Sequence, residues 1–239
     1  MALLEGRKIS KSFGGVQALS QVDFAVEPGT VVALIGPNGA GKTTLFNAVA
    51  GTFKPSSGQV VFDGRDITGL PANAVCRLGM ARTFQVTRPF AAMTCLENIM
   101  VAAINRYPQK PRSFIESFAR EKLRLVGLAE MEGVEARHLN VVRKKRLEMA
   151  RALATDPKLL MLDEVLGGLN TQEINQAIEF IRNLRDKLGL TVLWIEHVMG
   201  AVMQAAERVI VLDQGMVLMA GTPHEVVSDP RVIQAYLGD

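Results

Sequence analysis

The chain has 239 residues, enough for one large domain or a core with a modest lobe, and it can bury a real hydrophobic interior. A formal net charge of +3, with no long Lys/Arg block and no interleaving of basic with aromatic residues, argues against a nucleic-acid surface, so no nucleic acid is expected as a partner. Two cysteines, Cys76 and Cys95, are too few and too unpatterned for a disulfide framework or a metal site.

The opening MALLEGRKIS has no signal-peptide core, and no apolar run reaches the ~18–20 residues that span a bilayer. Cytosolic chemistry is expected, with any membrane role supplied through a partner. In chain order, residues 3–9 and 22–27 read as strands separated by Phe13-Gly14-Gly15, and Pro28-Gly29 reads as a turn. Val31–Ile35 is short and wholly apolar, as a strand buried on both faces should be. The next residues, Gly36-Pro37-Asn38-Gly39-Ala40-Gly41-Lys42-Thr43, fit the phosphate-loop pattern G-x-x-x-x-G-K-[ST] at every fixed position. Thr44 then opens a helix over 44–50, with Leu45, Phe46 and Val49 at helical spacing and Gly51 to end it.

A strand, a glycine turn and a helix start aim successive backbone N–H groups and a positive dipole end at one point. Lys42 supplies a cation for the β- and γ-phosphates, and the Thr43 hydroxyl a ligand for Mg²⁺. Residues Gly36 to Thr44 are therefore expected to bind a nucleoside triphosphate. No Asn-Lys-x-Asp guanine reader follows, which disfavours GTP.

Beyond Gly51, a turn at 55–58 precedes a strand at 59–63, a short helix at 71–77 with proline first, and a strand at 81–84. From 94 to 154 the pattern is helical, in three pieces over 94–103, 113–126 and 141–154, with a basic loop at 105–112. Strand and helix then alternate: strand Leu159–Asp163, helix Thr171–Leu188, strand Thr191–Ile195, helix 198–205, strands 208–212 and 217–220, helices 223–227 and 231–237. Such alternation implies a largely parallel sheet with helices on its faces, and the helical stretch reads as an inserted lobe.

Leu159–Asp163 runs into Glu164, so an apolar strand ends in two carboxylates. Beside a phosphate loop, Asp163 can hold Mg²⁺ directly or through water, and Glu164 can orient the attacking water. On its own such a pair could equally be a solvated turn. His197 follows the strand Thr191–Ile195, in the crevice where open α/β sheets bind ligands, and can reach a γ-phosphate. A lone histidine is more often structural, and this one gains weight only from its company.

Together these residues resemble the ATP-binding subunit of ABC transporters over essentially the whole chain. The resemblance implies an α/β P-loop NTPase (RecA-like) core with an antiparallel β subdomain, 1–86 and 156–239, and an inserted α-helical subdomain, 87–155. It implies ATP and Mg²⁺ as cofactors, Phe13 stacking on adenine, and Gln85 of Arg82-Thr83-Phe84-Gln85 sensing Mg²⁺ and facing the membrane subunit. Gly168-Leu169-Asn170 matches the loop that crosses to a partner cassette, and His197 the switch histidine. The stretches FGGVQAL, IGPNGAGKTTLFN, FDGRDITGLP, ARTFQ, LEMARALATDP, IEHVM and GTPHEV followed by DPRVIQAYLG are similar to one branch, the cassettes of branched-chain amino acid and related amide or aromatic-acid importers. That branch implies a second cassette (a different chain or another copy), two membrane permease subunits, a solute-binding protein at one remove, and a peripheral place on the cytoplasmic face of the membrane.

The chain departs from the family at its Leu-Ser-Gly-Gly-Gln signature, which here reads Leu139-Asn140-Val141-Val142-Arg143. Asn140 can still cap the following helix. Two isopropyl groups would hold the backbone off a phosphate that the family's glycines approach closely, and Arg143 is either a compensating cation or a solvated charge. Val165 stands where the family has proline, which loosens a turn and removes no chemistry. Two other readings stay open: a regulatory cassette that binds ATP and barely hydrolyses it, and a cassette of a lipid-exporting system. The transported solute is not written in this chain.

Overall fold

Strands β1 (Leu4–Phe13) and β2 (Val16–Val26) form an antiparallel hairpin, in a computed structural model that describes residues 1–84 and 87–237. Phe13 pairs with Val16, and Gly14 and Gly15 both take positive φ (51° and 90°), the angles that a two-residue turn matched to strand twist requires. Both strands outrun the expected bounds of 3–9 and 22–27, so Phe13-Gly14-Gly15 is a hairpin tip rather than a break between strands. Register shifts between Gly6 and Ser12, with Lys8 and Gln21 in the left-handed region, interrupt the in–out alternation that marks a strand. β1 also pairs with β4 (Ser57–Phe62), which turns back into β5 (Arg65–Asp66), giving the antiparallel order β2-β1-β4-β5. Two residues of β5 are too short to leave a periodic signal.

These strands belong to the first of two units, Met1–Val75 with Leu166–Asp239. In the same unit β3 (Val31–Ile35), buried throughout, lies parallel between β8 (Thr191–Ile195) and β9 (Arg208–Asp213). β10 (Met216–Gly221) adds antiparallel to β9. Ala33 and Ile35 of β3 share a core with Val209 and Val211 of β9, Val202 of α7 (Met199–Ala205), Val226 of α8 (Pro223–Ser228) and Val232 of α9 (Pro230–Leu237). Helix α1 (Lys42–Val49) buries Leu45, Phe46 and Val49. Helix α6 (Thr171–Leu188) buries Ile178, Ile181 and Leu184 at helical spacing and starts on a capping box of Asn170 with Glu173. The expected mixture of a mainly parallel sheet and an antiparallel one is present.

The second unit, Cys76–Val165, contains β6 (Met80–Arg82) parallel to β7 (Leu159–Asp163), and three longer helices. A short helix α2 (Ala72–Arg77) leads into it. α3 (Cys95–Arg106) starts on a Thr94/Glu97 capping box and runs three residues past its expected end at 103. The reason is tertiary: Tyr107, at its close, packs edge-on against Phe114 and Phe118 of α4 (Arg112–Leu125), with ring centroids 5.5 and 5.4 Å apart. α5 (Val141–Leu153) turns Leu147, Ala150 and Leu153 inward. No helix among the described residues is long and apolar enough to cross a membrane.

Candidate nucleotide site

The phosphate loop leaves the end of β3 and enters α1, whose N-cap is Gly41. Two of its positions admit only glycine. A Cβ on Gly36 (φ 149°) would lie 2.1 Å from the Leu212 carbonyl oxygen, and one on Gly41 (φ 99°) 2.7 Å from that of Ala18. Backbone of β9 and of β2, one strand from each sheet, therefore lies too close to the loop for a side chain at these two positions.

Hydrogen bonds from distant parts of the unit then hold it. The Gly215 N–H, in the β9–β10 turn, donates to the Ala40 carbonyl at 3.1 Å. The Gly36 N–H donates to the Tyr236 hydroxyl of α9 at 2.8 Å. Burial raises the Tyr236 phenol above its ordinary range, partly countered by that N–H, so the hydroxyl stays protonated at neutral pH. The Lys42 ammonium donates to the carbonyls of Gly36 (2.7 Å) and Pro37 (2.9 Å), inside the loop's own concavity. Asn38, Gly39 and Thr43 are exposed, while Gly36 and Ala40 are buried. Thr43 and Thr44 stand in the first turn of α1.

The same unit carries five other expected residues: His197, Phe13 and the loop Gly168-Leu169-Asn170. His197, exposed, follows β8 on the same end of the sheet as Gly36 follows β3, since Leu34 and Ile195 are parallel partners. Phe13, at the hairpin tip, is 47% exposed and meets Phe53 edge-on at 5.3 Å, with the Lys11 ammonium 5.0 Å from its ring. Gly168 and Leu169 lead into Asn170, whose side chain caps α6.

In the second unit Asp163 ends β7 and is almost fully buried. Its Oδ2 accepts a hydrogen bond from Arg82 Nη2 at 2.7 Å, and its neighbour across the β6–β7 pair is Thr83, whose N–H donates to Met161. Glu164 follows at φ 47°, in the left-handed region that a side chain rarely takes without constraint. Next to it, the Val165 carbonyl accepts from Lys145 of α5 at 3.0 Å. Phe84 is 56% exposed, lies 5.3 Å from the Arg82 guanidinium, and donates its N–H to the buried Glu148 carboxylate at 2.7 Å. Gln85 lies outside the described residues. The side chain of Asn140 accepts from the Arg143 N–H at 2.9 Å and so caps α5, leaving Val141 63% exposed; Val142 is half-buried and Arg143 exposed.

Sequence reading missed Arg82, Phe53 and Tyr236 as members of these constellations. None carries a local signal, because each acts through a partner far along the chain. Thr43 and Asp163 offer a hydroxyl and a carboxylate, the hard oxygen donors that Mg²⁺ prefers, so the donor types fit that ion.

Residues 19–167 match the family described as ABC transporter, and residues 217–239 the one described as branched-chain amino acid ATP-binding cassette transporter. Over 250 residues the chain is 40% identical to the high-affinity branched-chain amino acid transport ATP-binding protein BraF of Pseudomonas aeruginosa, with 99% of this chain and 98% of that protein covered. It is 38% identical over 250 residues to the corresponding LivG protein of Escherichia coli, at the same coverage. The crystal structure of the ADP conformation of MJ1267, an ATP-binding cassette of an ABC transporter, superimposes with a TM-score of 0.90 at 30% identity, covering 100% of both chains. With the phosphate loop, the paired sheets and whole-length likeness in agreement, this chain belongs to the ABC transporter family, as an ATP-binding cassette.

Proposed function

We infer that this chain is the ATP-hydrolysing subunit of an importer for branched-chain amino acids or closely related small amides and acids. The observation that carries the reading is the braced phosphate loop with Lys42 directed into it, in a chain that aligns end to end with BraF and LivG. On arrival of a triphosphate, Lys42 exchanges two carbonyl partners for phosphate oxygens, a stronger charge-assisted set. The N–H groups from Gly39 to Thr44 add theirs, and Phe13 offers its face to adenine. Thr43, Gln85 and Asp163 are the groups that would hold Mg²⁺, which supplies charge neutralisation across the phosphates. Glu164 orients water for in-line attack: an O–P bond forms at the γ-phosphorus as the bridging P–O bond to the β-phosphate breaks. His197 steadies the γ-phosphate.

Asn140–Arg143 and Gly168-Leu169-Asn170 are the surfaces that meet a second cassette. There the exposed isopropyl group of Val141 caps a position where close backbone approach is needed. ATP held by Lys42 depends on the partner's signature and is hydrolysed normally if that signature is intact, while the partner's ATP turns over more slowly. The region around Phe84 and Gln85 faces two membrane permease subunits fed by a solute-binding protein, and the cassette works as a peripheral subunit on the cytoplasmic face. Residues 87–155 form its helical subdomain, and 1–86 with 156–239 its core.

The test is uptake of labelled leucine by vesicles holding the complete transporter, with wild type and Lys42→Ala compared. Uptake is expected to require MgATP and to vanish in the variant. ATP-dependent uptake that survives Lys42→Ala, or a wild-type chain that fails to bind ATP, would overturn the reading.

A further inference from the structure

We propose that Tyr236 is a positioning residue for nucleotide binding, its hydroxyl fixing the first peptide of the phosphate loop from the C-terminal helix. The inference rests on the ATP-binding reading above and adds a residue to it. β3 ends its ladder at Ile35, paired with Val211 on one side, while Leu34 pairs with Ile195 on the other. The Gly36 N–H is therefore the first one beyond the sheet, and it is buried. A buried amide needs a partner, and among the described residues it finds the Tyr236 oxygen at 2.8 Å. On the far side of the same residue, the carbonyl of Gly36 accepts from Lys42.

When Lys42 turns to a triphosphate, that carbonyl is released, and the tyrosine becomes the side chain that keeps the residue from rotating. Gly36 has no side chain to anchor it, and a Cβ there would come within 2.1 Å of the Leu212 carbonyl oxygen, so the hold on this residue has to come through its backbone. A loop whose first peptide can swing must be re-ordered on binding, and the cost appears as weaker affinity. The hydroxyl comes from the segment 217–239 that matches the branched-chain amino acid cassette family, so this tail of the chain acts on the phosphate site as well as on the core through Val232.

The experiment compares wild type, Tyr236→Phe and Ile233→Ala as full-length chains. The last is a control on the same helix, 46% exposed. Calorimetry gives the MgATP dissociation constant, hydrogen exchange reads the Gly36 amide, and ATPase of the assembled transporter gives KM and kcat. Tyr236→Phe is expected to raise the dissociation constant and KM about five- to tenfold, the weight of one part-buried hydrogen bond, with kcat at saturation near wild type and faster exchange at Gly36. Ile233→Ala is expected to match wild type in all three. Unchanged affinity in Tyr236→Phe, or an equal loss in Ile233→Ala, would overturn the proposal. Failure of the wild-type chain to bind ATP would instead remove the reading beneath it.

Discussion

Arg82 Nη2 meets Asp163 Oδ2 at 2.7 Å, and the two side chains are only 12% and 6% exposed. β6 and β7 carry these residues on parallel strands, so the ion pair ties the strand leading toward Gln85 to the strand that ends in the two carboxylates. Removing one member of a buried pair leaves the other charged and desolvated, at a cost of about 3–5 kcal/mol.

Arg82→Met is accordingly expected to lower the unfolding free energy by about 3 kcal/mol or more, seen as a shift in the urea midpoint at constant slope. Adding Asp163→Asn should recover part of the loss, because the stranded charge is then gone. Additive losses in the double variant would show that the two residues act independently.

Glu148 gives a pH signature. Burial pushes its carboxyl above the ordinary value of 4.5, while the Phe84 N–H, Arg151 and Lys145 pull it down less strongly. Between 4.5 and the raised value the folded chain keeps a proton that the unfolded chain has lost. Stability therefore falls as pH rises through that window. Glu148→Gln can still accept from Phe84, and it should match wild type near pH 4 and exceed it at pH 7 in denaturant titrations. A variant less stable than wild type at pH 7 would mean that the negative charge is itself favourable there.

The altered signature has a local test. Asn140 caps α5 through the Arg143 N–H, and losing such a cap costs about 1 kcal/mol. Asn140→Ala should show that loss in thermal or urea unfolding, and Asn140→Ser should restore most of it. If alanine is neutral, another group caps the helix.

Phe13→Ala should weaken ATP binding by about 1–3 kcal/mol, the value of a base on an aromatic face. Phe53→Ala, which removes the edge-on support at 5.3 Å, should give a smaller loss of the same kind. Equal affinity of wild type and Phe13→Ala would place adenine elsewhere.

Much of this protein is legible in its sequence, and the failures have physical causes. Val31–Ile35, Leu159–Asp163, Thr171–Leu188 and Thr191–Ile195 were readable to the residue, because burial on both faces or a capped amphipathic stripe leaves one signal only. β1 and β2 run further toward their hairpin than their alternation shows, because bulges scramble it. The last turn of α3 has no local signal, since the packing of Tyr107 on Phe114 and Phe118 is a tertiary contact. The phosphate loop announces itself by spacing alone. What braces it does not: Tyr236 and Gly215 are ordinary residues until the fold carries them to Gly36 and Ala40.

The bond between Gly36 and Tyr236 spans 200 residues of chain. On a ribosome adding about 5–20 residues per second, the loop emerges roughly 10–40 s before the hydroxyl that secures it. A half-made chain thus carries the whole motif without this bond. If the bond steadies the loop as proposed, the full affinity for ATP is reached only once the C-terminal helix has been made.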